Sequence, residues 1–169
     1  MKLTTREEYE KVVDAANGEY YTMSRWVYYS ACLDIVREIN PGSVLEFGVY
    51  KFPLIHGSDI MDNDPQVAVT YEHDATLTPW PIADKQYDLL IALQVWEHLK
   101  GKQREAFREA MRVSRHAILS FPYMWKVPPG NDHYGIDEEV MRGWTCDVNP
   151  ERIIKLPHRH MYYFIFGGN

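Results

Sequence analysis

The stretch that decides the fold of this chain is Gly42-Ser43-Val44-Leu45-Glu46-Phe47-Gly48, taken together with Tyr87-Asp88-Leu89-Leu90-Ile91-Ala92-Leu93-Gln94-Val95-Trp96-Glu97-His98-Leu99. Each stretch contains a short apolar run that ends abruptly in polar residues. Apolar runs of this length are typical of strands buried on both faces of a parallel sheet. Open α/β sheets bind their ligands at the carboxyl ends of such strands. We therefore expect the Glu46 carboxylate and the Glu97-His98 pair at the ligand-binding edge of a sheet.

Helical and strand patterns flank these two stretches. Thr5 and Glu8 have the spacing of a capping box and predict a helix that runs to about Ala16. Further helices are predicted over residues 22–39 and 103–113 and from residue 137 onward, where apolar residues recur at three- and four-residue steps or acidic residues open a turn. Further strands are predicted near residues 67–71 and 117–121, and a terminal hairpin is predicted over residues 152–156 and 161–166.

The segment between Gly48 and Val67 is too short for the usual connections of a parallel sheet. A parallel crossover normally takes a dozen or more residues. Only about ten residues lie between Gly48 and Ser58, and Pro53 and Gly57 interrupt them. We therefore predict that the crossover helices after the first and second strands of the sheet are shortened or missing.

Composition limits the class of protein. A chain of 169 residues predicts one domain over residues 1–169, with N-terminal helices in 1–40 and an α/β core in 41–169. The net charge of −6 offers no basic field for a nucleic-acid partner. No apolar stretch approaches the roughly 20 residues of a membrane span. The N-terminus has no apolar signal-peptide core, and the two cysteines form no spaced motif, so a cytoplasmic location is expected. The many aromatic residues leave homo-oligomerisation open.

The two stretches resemble sequence motifs of the class I S-adenosylmethionine-dependent methyltransferases. The strand-one motif of that family reads roughly Val-Leu-Glu-apolar-Gly and is matched by Val44–Gly48. A second family motif is an Asp-Ala pair, a stretch with proline, and then an aromatic-Asp pair, an apolar run and Glu-His-Leu. It is matched by Asp74-Ala75, Pro79-Trp80-Pro81 and Tyr87–Leu99, and residues 107–123 match a later helix and strand more loosely. The resemblance covers roughly residues 40–145. It implies an α/β fold with a Rossmann-like methyltransferase sheet that is mostly parallel and ends in an antiparallel hairpin.

The resemblance also implies a cofactor, S-adenosylmethionine, and methyl transfer to a small-molecule acceptor. Glu46 would orient the turn at the methionine end of the cofactor, and Gly48 would allow close approach of the ligand. Asp74 would bind the adenine amino group, with Ala75 offering its backbone amide. Where the family has further glycines, this chain has Tyr50 and Phe52. The implied cofactor-binding residues are Glu46, Gly48, Tyr50, Asp62, Asp74, Ala75 and Leu93.

Three carboxylates compete for the ribose hydroxyls, which need an acid at the end of strand two. Asp59 and Asp62 follow Gly48 closely, and Glu72 is the candidate if residues 67–71 form strand two. We prefer Asp62, because Asp74-Ala75 then falls in the register expected after strand three. Each of the three acids, considered alone, is also explained as a solvated loop residue.

Two histidines are candidates for catalysis. His98 follows strand four, and His133 lies in an aromatic loop after strand five that could cover a ligand site. The near-neutral pKa of free imidazole suits a general base. A histidine at the start of a helix that bonds only to backbone would explain His98 equally well.

Two other functions compete with methyl transfer. The substituted glycine positions favour a methyltransferase-like domain that no longer catalyses and serves as a binding or regulatory module. A small α/β hydrolase or metal-dependent enzyme has less support, because no Gly-x-Ser-x-Gly elbow is present. His158 and His160 could be combined with His56 or His133, but no pair has a recognised ligand spacing, so no metal site is predicted.

Overall fold

The helices and strands follow the predicted order along the chain. The computed structural model of the protein describes residues 1–16, 21–49, 52–64 and 68–167. Its α-helices are α1 (Arg6–Ala15), α2 (Met23–Ile39), α3 (Gln103–Val113) and α4 (Glu138–Trp144), and a 3-10 helix covers Trp96–His98. Its strands are β1 (Lys2–Leu3), β2 (Val44–Phe47), β3 (Ile55–His56), β4 (Asp59–Asp62), β5 (Tyr71–Glu72), β6 (Tyr87–Leu93), β7 (Ser114–Pro122), β8 (Arg152–Leu156) and β9 (Arg159–Ile165).

Seven of these strands form one sheet in the order β5-β4-β2-β6-β7-β9-β8. The first five are parallel to one another, and the terminal hairpin of β8 and β9 adds two antiparallel pairings. The predicted α/β sheet with its antiparallel hairpin is therefore confirmed. The strand predicted near residues 67–71 is displaced, because pairing with β4 begins only at Tyr71, opposite Met61. Val67 lies outside the described residues.

The connections on either side of β4 contain no helix in the part of the chain that the structure describes. Between β2 and β4 the chain instead forms β3, which pairs with β1 at Lys2↔His56 and Leu3↔Ile55. Within this description, the prediction of shortened or missing crossover helices is confirmed. The sequence analysis did not predict β1 or β3, because a ladder of two residues is too short to leave a periodic pattern.

Helices cover both faces of the sheet. Leu33 and Val36 of α2 are buried in one cluster with Leu89 and Ile91 of β6. On the opposite face, the α3 side chains join a second cluster around Trp96, which is fully buried. Both faces of β6 are therefore apolar, as expected for a parallel strand between two helical layers. No helix within the described residues is long and apolar enough to span a membrane.

The N-terminal helix begins as predicted. Thr5 accepts a hydrogen bond from the backbone N–H of Glu8, and the Glu8 carboxylate accepts one from the backbone N–H of Thr5. This reciprocal capping box satisfies two donors that an α-helix leaves without an internal partner. The helix is held close to α2 because the Tyr9 hydroxyl donates to the Thr22 carbonyl at 2.8 Å.

Candidate functional site

The carboxyl ends of β2, β4, β5 and β6 lie at the same edge of the sheet, because these strands are parallel. A cavity of about 270 Å³ opens there, and we call it the strand-end cavity. Its lining residues are Phe47, Gly48, Asp62, Asn63, His73, Asp74, Ala75, Thr76, Val95, His98, Leu99 and Lys100. Of the residues singled out in the sequence analysis, Gly48, Asp62, Asp74, Ala75 and His98 are brought together here.

Gly48 occupies a position that no other residue fits. Its φ angle is +64°, in the left-handed region that L side chains rarely adopt. A Cβ atom at this position would lie 2.6 Å from Cγ2 of Val95. The Gly48 N–H donates to the Met61 carbonyl at 3.1 Å, so the backbone just after β2 is hydrogen-bonded to the neighbouring strand β4. Gly48 therefore lets the backbone close one wall of the strand-end cavity without filling it.

The Glu46 carboxylate is buried and fully engaged with backbone and hydroxyl donors. Oε2 accepts from the Leu54 N–H at 2.7 Å, and Oε1 accepts from the Ile55 N–H at 2.8 Å and the Ser58 hydroxyl at 2.7 Å. Burial raises the pKa of Glu46, and these hydrogen bonds offset part of the rise. Through these hydrogen bonds Glu46 holds residues 54–58, the segment that replaces the usual crossover helix after β2. This is the amide-capping arrangement that also fits the role of orienting the turn.

The structure separates the three acids that competed for a ribose. Asp62 ends β4, is nearly buried and lines the strand-end cavity, and its Oδ1 accepts from the Asp64 N–H at 3.0 Å. Asp59 begins the same strand at the opposite edge of the sheet, where its Oδ2 accepts from the Tyr87 hydroxyl at 2.7 Å. Glu72 is exposed and does not line the cavity. Among these three acids, only Asp62 is positioned to meet a ligand in the cavity.

Asp74 is held in a tight turn after β5. Its Oδ1 accepts from the Thr76 N–H at 2.9 Å and from the Thr76 hydroxyl at 2.8 Å. These two hydrogen bonds are the main reason why the pKa of Asp74 lies below its usual range. The Ala75 carbonyl accepts from the Trp80 indole N–H at 3.1 Å, which fixes the next residue of the turn. A charged carboxylate therefore faces the cavity in a defined orientation.

A second cavity, of about 290 Å³, lies beside the first and shares His98 with it. Its lining residues are Thr22, Ser24, Arg25, Gln94, Glu97, His98, Trp125, His133 and Arg159. His98 Nδ1 lies 3.0 Å from Oδ2 of Asp132, and the His98 and His133 ring centroids are 5.2 Å apart. Burial is the main reason why the pKa of His133 is lowered. The two predicted histidines therefore meet in one place.

Glu97 is the residue that the sequence analysis underrated. It is only 4% exposed, and neither carboxylate oxygen has a hydrogen-bond partner of normal geometry among the described residues. Burial raises the pKa of Glu97 to about 7, an effect that its own backbone amide, His98 and Arg159 only partly oppose. The one sequence signal was its place in the turn after a buried strand. Arg159 gave no signal, because it reaches the cavity from the distant terminal hairpin.

The remaining predicted residues lie outside the strand-end cavity or outside the residues that the structure describes. Leu93 and Glu46 line a narrow cavity of about 20 Å³ on the other side of Gly48, together with Phe52. Tyr50 was predicted to bind the cofactor and lies outside the described residues. The Phe52 ring packs against Tyr9, with their ring centroids 5.1 Å apart. The space next to the Gly48 turn is therefore narrowed by apolar side chains, among them Phe52 and Tyr29.

Comparison with solved structures identifies the fold. A SAM-dependent methyltransferase from Aquifex aeolicus matches with a TM-score of 0.56 and 11% identity, over 79% of this chain and 88% of that chain. The PH0226 protein from Pyrococcus horikoshii matches with a TM-score of 0.60 and 14% identity, over 95% and 92%. The N-terminal domain of EvdMO1, solved with SAH bound, matches with a TM-score of 0.51 and 10% identity, over 80% and 78%. No protein-family profile and no curated protein sequence matches the chain. The chain has the fold of the class I methyltransferases.

Proposed function

We propose that the protein transfers the methyl group of S-adenosylmethionine to a small-molecule acceptor. The observation that carries this proposal is the strand-end cavity, which combines Gly48, Asp62 and Asp74 at the edge where α/β sheets bind ligands. These are the positions to which the sequence resemblance assigns the turn, the ribose and the adenine. The structural likeness to methyltransferases, one of them solved with SAH bound, supports the same cofactor.

The strand-end cavity would bind the cofactor, and the second cavity would bind the acceptor. In the strand-end cavity, the Asp62 carboxylate would accept from the ribose hydroxyls and the Asp74 carboxylate from the adenine amino group. When bound, the cofactor supplies an electrophilic methyl group. His98 stands where the two cavities meet, so it would lie close to both the methyl group and the acceptor. His98 or His133 would take the proton that an acceptor hydroxyl or amine releases.

The size and charge of the second cavity support a small acceptor. Its volume of about 290 Å³ lies just below the roughly 300–1,000 Å³ that small-molecule sites occupy, so it suits a small acceptor. Arg25, Arg159 and Glu97 all line it, so it combines both signs of charge within one cavity. The net charge of −6 disfavours a polyanionic acceptor such as nucleic acid.

Titration with S-adenosylhomocysteine tests the cofactor site. We expect Asp62→Asn and Asp74→Asn each to weaken binding by about 10–100-fold, because each removes a charged acceptor worth roughly 1.5–3 kcal/mol. Both substitutions keep an oxygen for the hydrogen bonds inside the protein. The matched control is Asp34→Asn on the exposed surface of α2, where the acid pairs with Arg37 and lines neither cavity. Calorimetry should find wild-type affinity in the control, and equal affinity in all four proteins would refute the assignment.

A second function, nucleoside binding without catalysis, is favoured by one observation. The cavity beside Gly48 has a volume of only about 20 Å³ because Phe52 and its neighbours fill that space. This is the side where the resemblance places the methionine end of the cofactor. A site that accepts only the nucleoside end would bind 5′-methylthioadenosine and exclude S-adenosylhomocysteine.

The same calorimetry separates the two functions. If the protein is a methyltransferase, S-adenosylhomocysteine should bind at least as tightly as 5′-methylthioadenosine, because the amino-acid end adds contacts. Binding of 5′-methylthioadenosine alone would point to the nucleoside-binding module. Failure of both ligands at millimolar concentration would contradict both proposals.

A further inference from the structure

We propose that Glu97, His98 and His133 form a binding site for a divalent transition-metal ion. One ligand atom from each residue, a carboxylate oxygen or an imidazole nitrogen, lies within 4.8 Å of those of the other two. Among the residues that the structure describes, this is the single group of three such side chains. Two imidazoles and one carboxylate form the ligand set of many catalytic zinc sites, in which a fourth position stays open for water or substrate.

The state of Glu97 is independent support for a cationic ligand. The side chain is buried, and both carboxylate oxygens lack a hydrogen-bond partner among the described residues. A carboxylate in this condition is costly, because burial removes its water without replacing the lost interactions. The side chain lines the second cavity, so an ion could reach it from there. A bound cation would remove the cost that the protein alone leaves uncompensated.

The distances are close to those that an ion requires. Oε1 of Glu97 lies 3.8 Å from Nε2 of His133. Ligand atoms at about 2.0–2.2 Å from a tetrahedral ion lie roughly 3.3–3.6 Å apart, so these two atoms need to approach by only a few tenths of an ångström. His98 and its partner Asp132 are both exposed, so the pair has room to make the remaining adjustment together.

Asp132 prepares His98 for this role. Its Oδ2 lies 3.0 Å from Nδ1 of His98, so that nitrogen carries the proton in a hydrogen bond and Nε2 presents its lone pair. A carboxylate behind a ligating imidazole is the usual arrangement in metal sites, because it fixes the tautomer and the ring orientation. Asp132 is therefore a positioning residue of the proposed site and not a ligand.

This proposal departs from the expectation, made from the sequence, that the chain has no metal site. In the sequence, His133 has no recognised ligand spacing to the histidines of the terminal hairpin, with which it could be combined. The structure places His160 elsewhere, stacked on Tyr123 with ring centroids 3.7 Å apart. The loop after β7 brings His133 to Glu97 and His98 instead. Ligands from two separate loops leave no local pattern in the sequence.

The open coordination position would face the second cavity. An acceptor oxygen or nitrogen that completes the coordination would be held next to the methyl group. Coordination would make the acceptor's proton more acidic, and with both imidazoles bound to the ion that proton would leave to solvent instead of to His98 or His133. This role rests on the proposed methyl transfer. Metal binding by itself depends only on the three side chains and is tested without any methyl donor.

The test uses the full chain after removal of metals by a chelator. Titration with Co²⁺ followed by visible absorption, and with Zn²⁺ followed by calorimetry, should show one ion bound per chain. We expect His133→Ala to weaken binding by at least about 100-fold and Asp132→Asn by about 10-fold. The matched control is His56→Ala, because the His56 side chain is exposed, pairs with Glu8 and lies outside the lining of the second cavity. Its affinity should equal that of the wild type.

Glu97→Gln adds a second measurement, the thermal stability of the metal-free protein. Because it removes a buried charge whose oxygens accept no hydrogen bond from another described side chain, it should raise Tm of the metal-free protein by about 2–4 °C while abolishing metal binding. Three results would overturn the site: no binding at millimolar metal, equal affinity in His133→Ala and wild type, or a sulfur-to-cobalt charge-transfer band that indicates Cys146. Titration of the same samples with S-adenosylhomocysteine shows separately whether the proposed methyltransferase function fails.

Discussion

Gly48→Ala should weaken binding of S-adenosylhomocysteine by about 10–200-fold, the range that one misplaced methyl group in a binding site can cause. The new Cβ would lie 2.6 Å from Cγ2 of Val95, a distance that real Cβ atoms essentially never show. Val95 lines the strand-end cavity, so relief of the clash pushes either its side chain or the Gly48 turn into the ligand space. Calorimetric titration of the variant and the wild type measures the effect.

Gly57→Ala separates this clash from backbone strain. Gly57 has a φ angle of +78°, yet a Cβ there would meet no atom within 4 Å. Both substitutions carry the left-handed penalty of about 1–2 kcal/mol, but Gly57→Ala should leave the affinity unchanged. In the Gly48→Ala/Val95→Ala double variant the nearest remaining contact is 3.5 Å, so affinity should return to that of Val95→Ala alone. Equal losses in Gly48→Ala and Gly57→Ala would show that loop strain governs binding.

Glu46→Gln should lower the free energy of unfolding by about 2–4 kcal/mol. Each carboxylate oxygen of Glu46 accepts from at least one donor, so the NH₂ group of glutamine must face a donor in either orientation. A buried backbone N–H of Leu54 or Ile55 then loses its acceptor. Loss of the buried charge offsets only part of this cost, because the carboxylate was satisfied by three hydrogen bonds. Urea denaturation at neutral pH measures the difference.

Ser58→Ala is the matched control for Glu46→Gln. It removes one of the three donors and leaves both backbone N–H groups paired, so the loss should be about 0.5–1.5 kcal/mol. A Glu46→Gln variant as stable as Ser58→Ala would contradict the anchoring role. It would also mean that the segment over residues 52–58 is held mainly by apolar packing.

Most of the sheet could be predicted because its elements carry strong local signals. The apolar runs of β2 and β6, the spacing of Phe107 and Ala110 in α3, and the capping box of α1 each depend on residues close together in sequence. Such signals survive in the fold because tertiary packing buries the same faces that the periodicity marks. The mostly parallel sheet with its terminal antiparallel hairpin followed from the resemblance to methyltransferases and was confirmed by the strand pairing.

The missed features depend on contacts between distant residues. β1 and β3 are only two residues each and exist because they pair with each other across more than fifty residues of chain. The preference for Asp62 followed from counting register, and its placement in the cavity agrees with that count. Counting residues along the chain could not predict which other carboxylates are buried. The sequence around Glu97 does not distinguish it from an exposed acid. Only the folded structure shows that its buried carboxylate oxygens have no hydrogen-bond partner of normal geometry among the described residues.

The pairing of β1 with β3 has a practical consequence for handling the protein. The Thr4 N–H donates to the Leu54 carbonyl at 2.9 Å, and Lys2 and Leu3 pair with the two residues that follow Leu54. Proteolytic trimming of these first residues, or a bulky affinity tag fused directly to Met1, would loosen the strand whose amides Glu46 holds. Damage at the amino terminus would thus reach the wall behind the Gly48 turn.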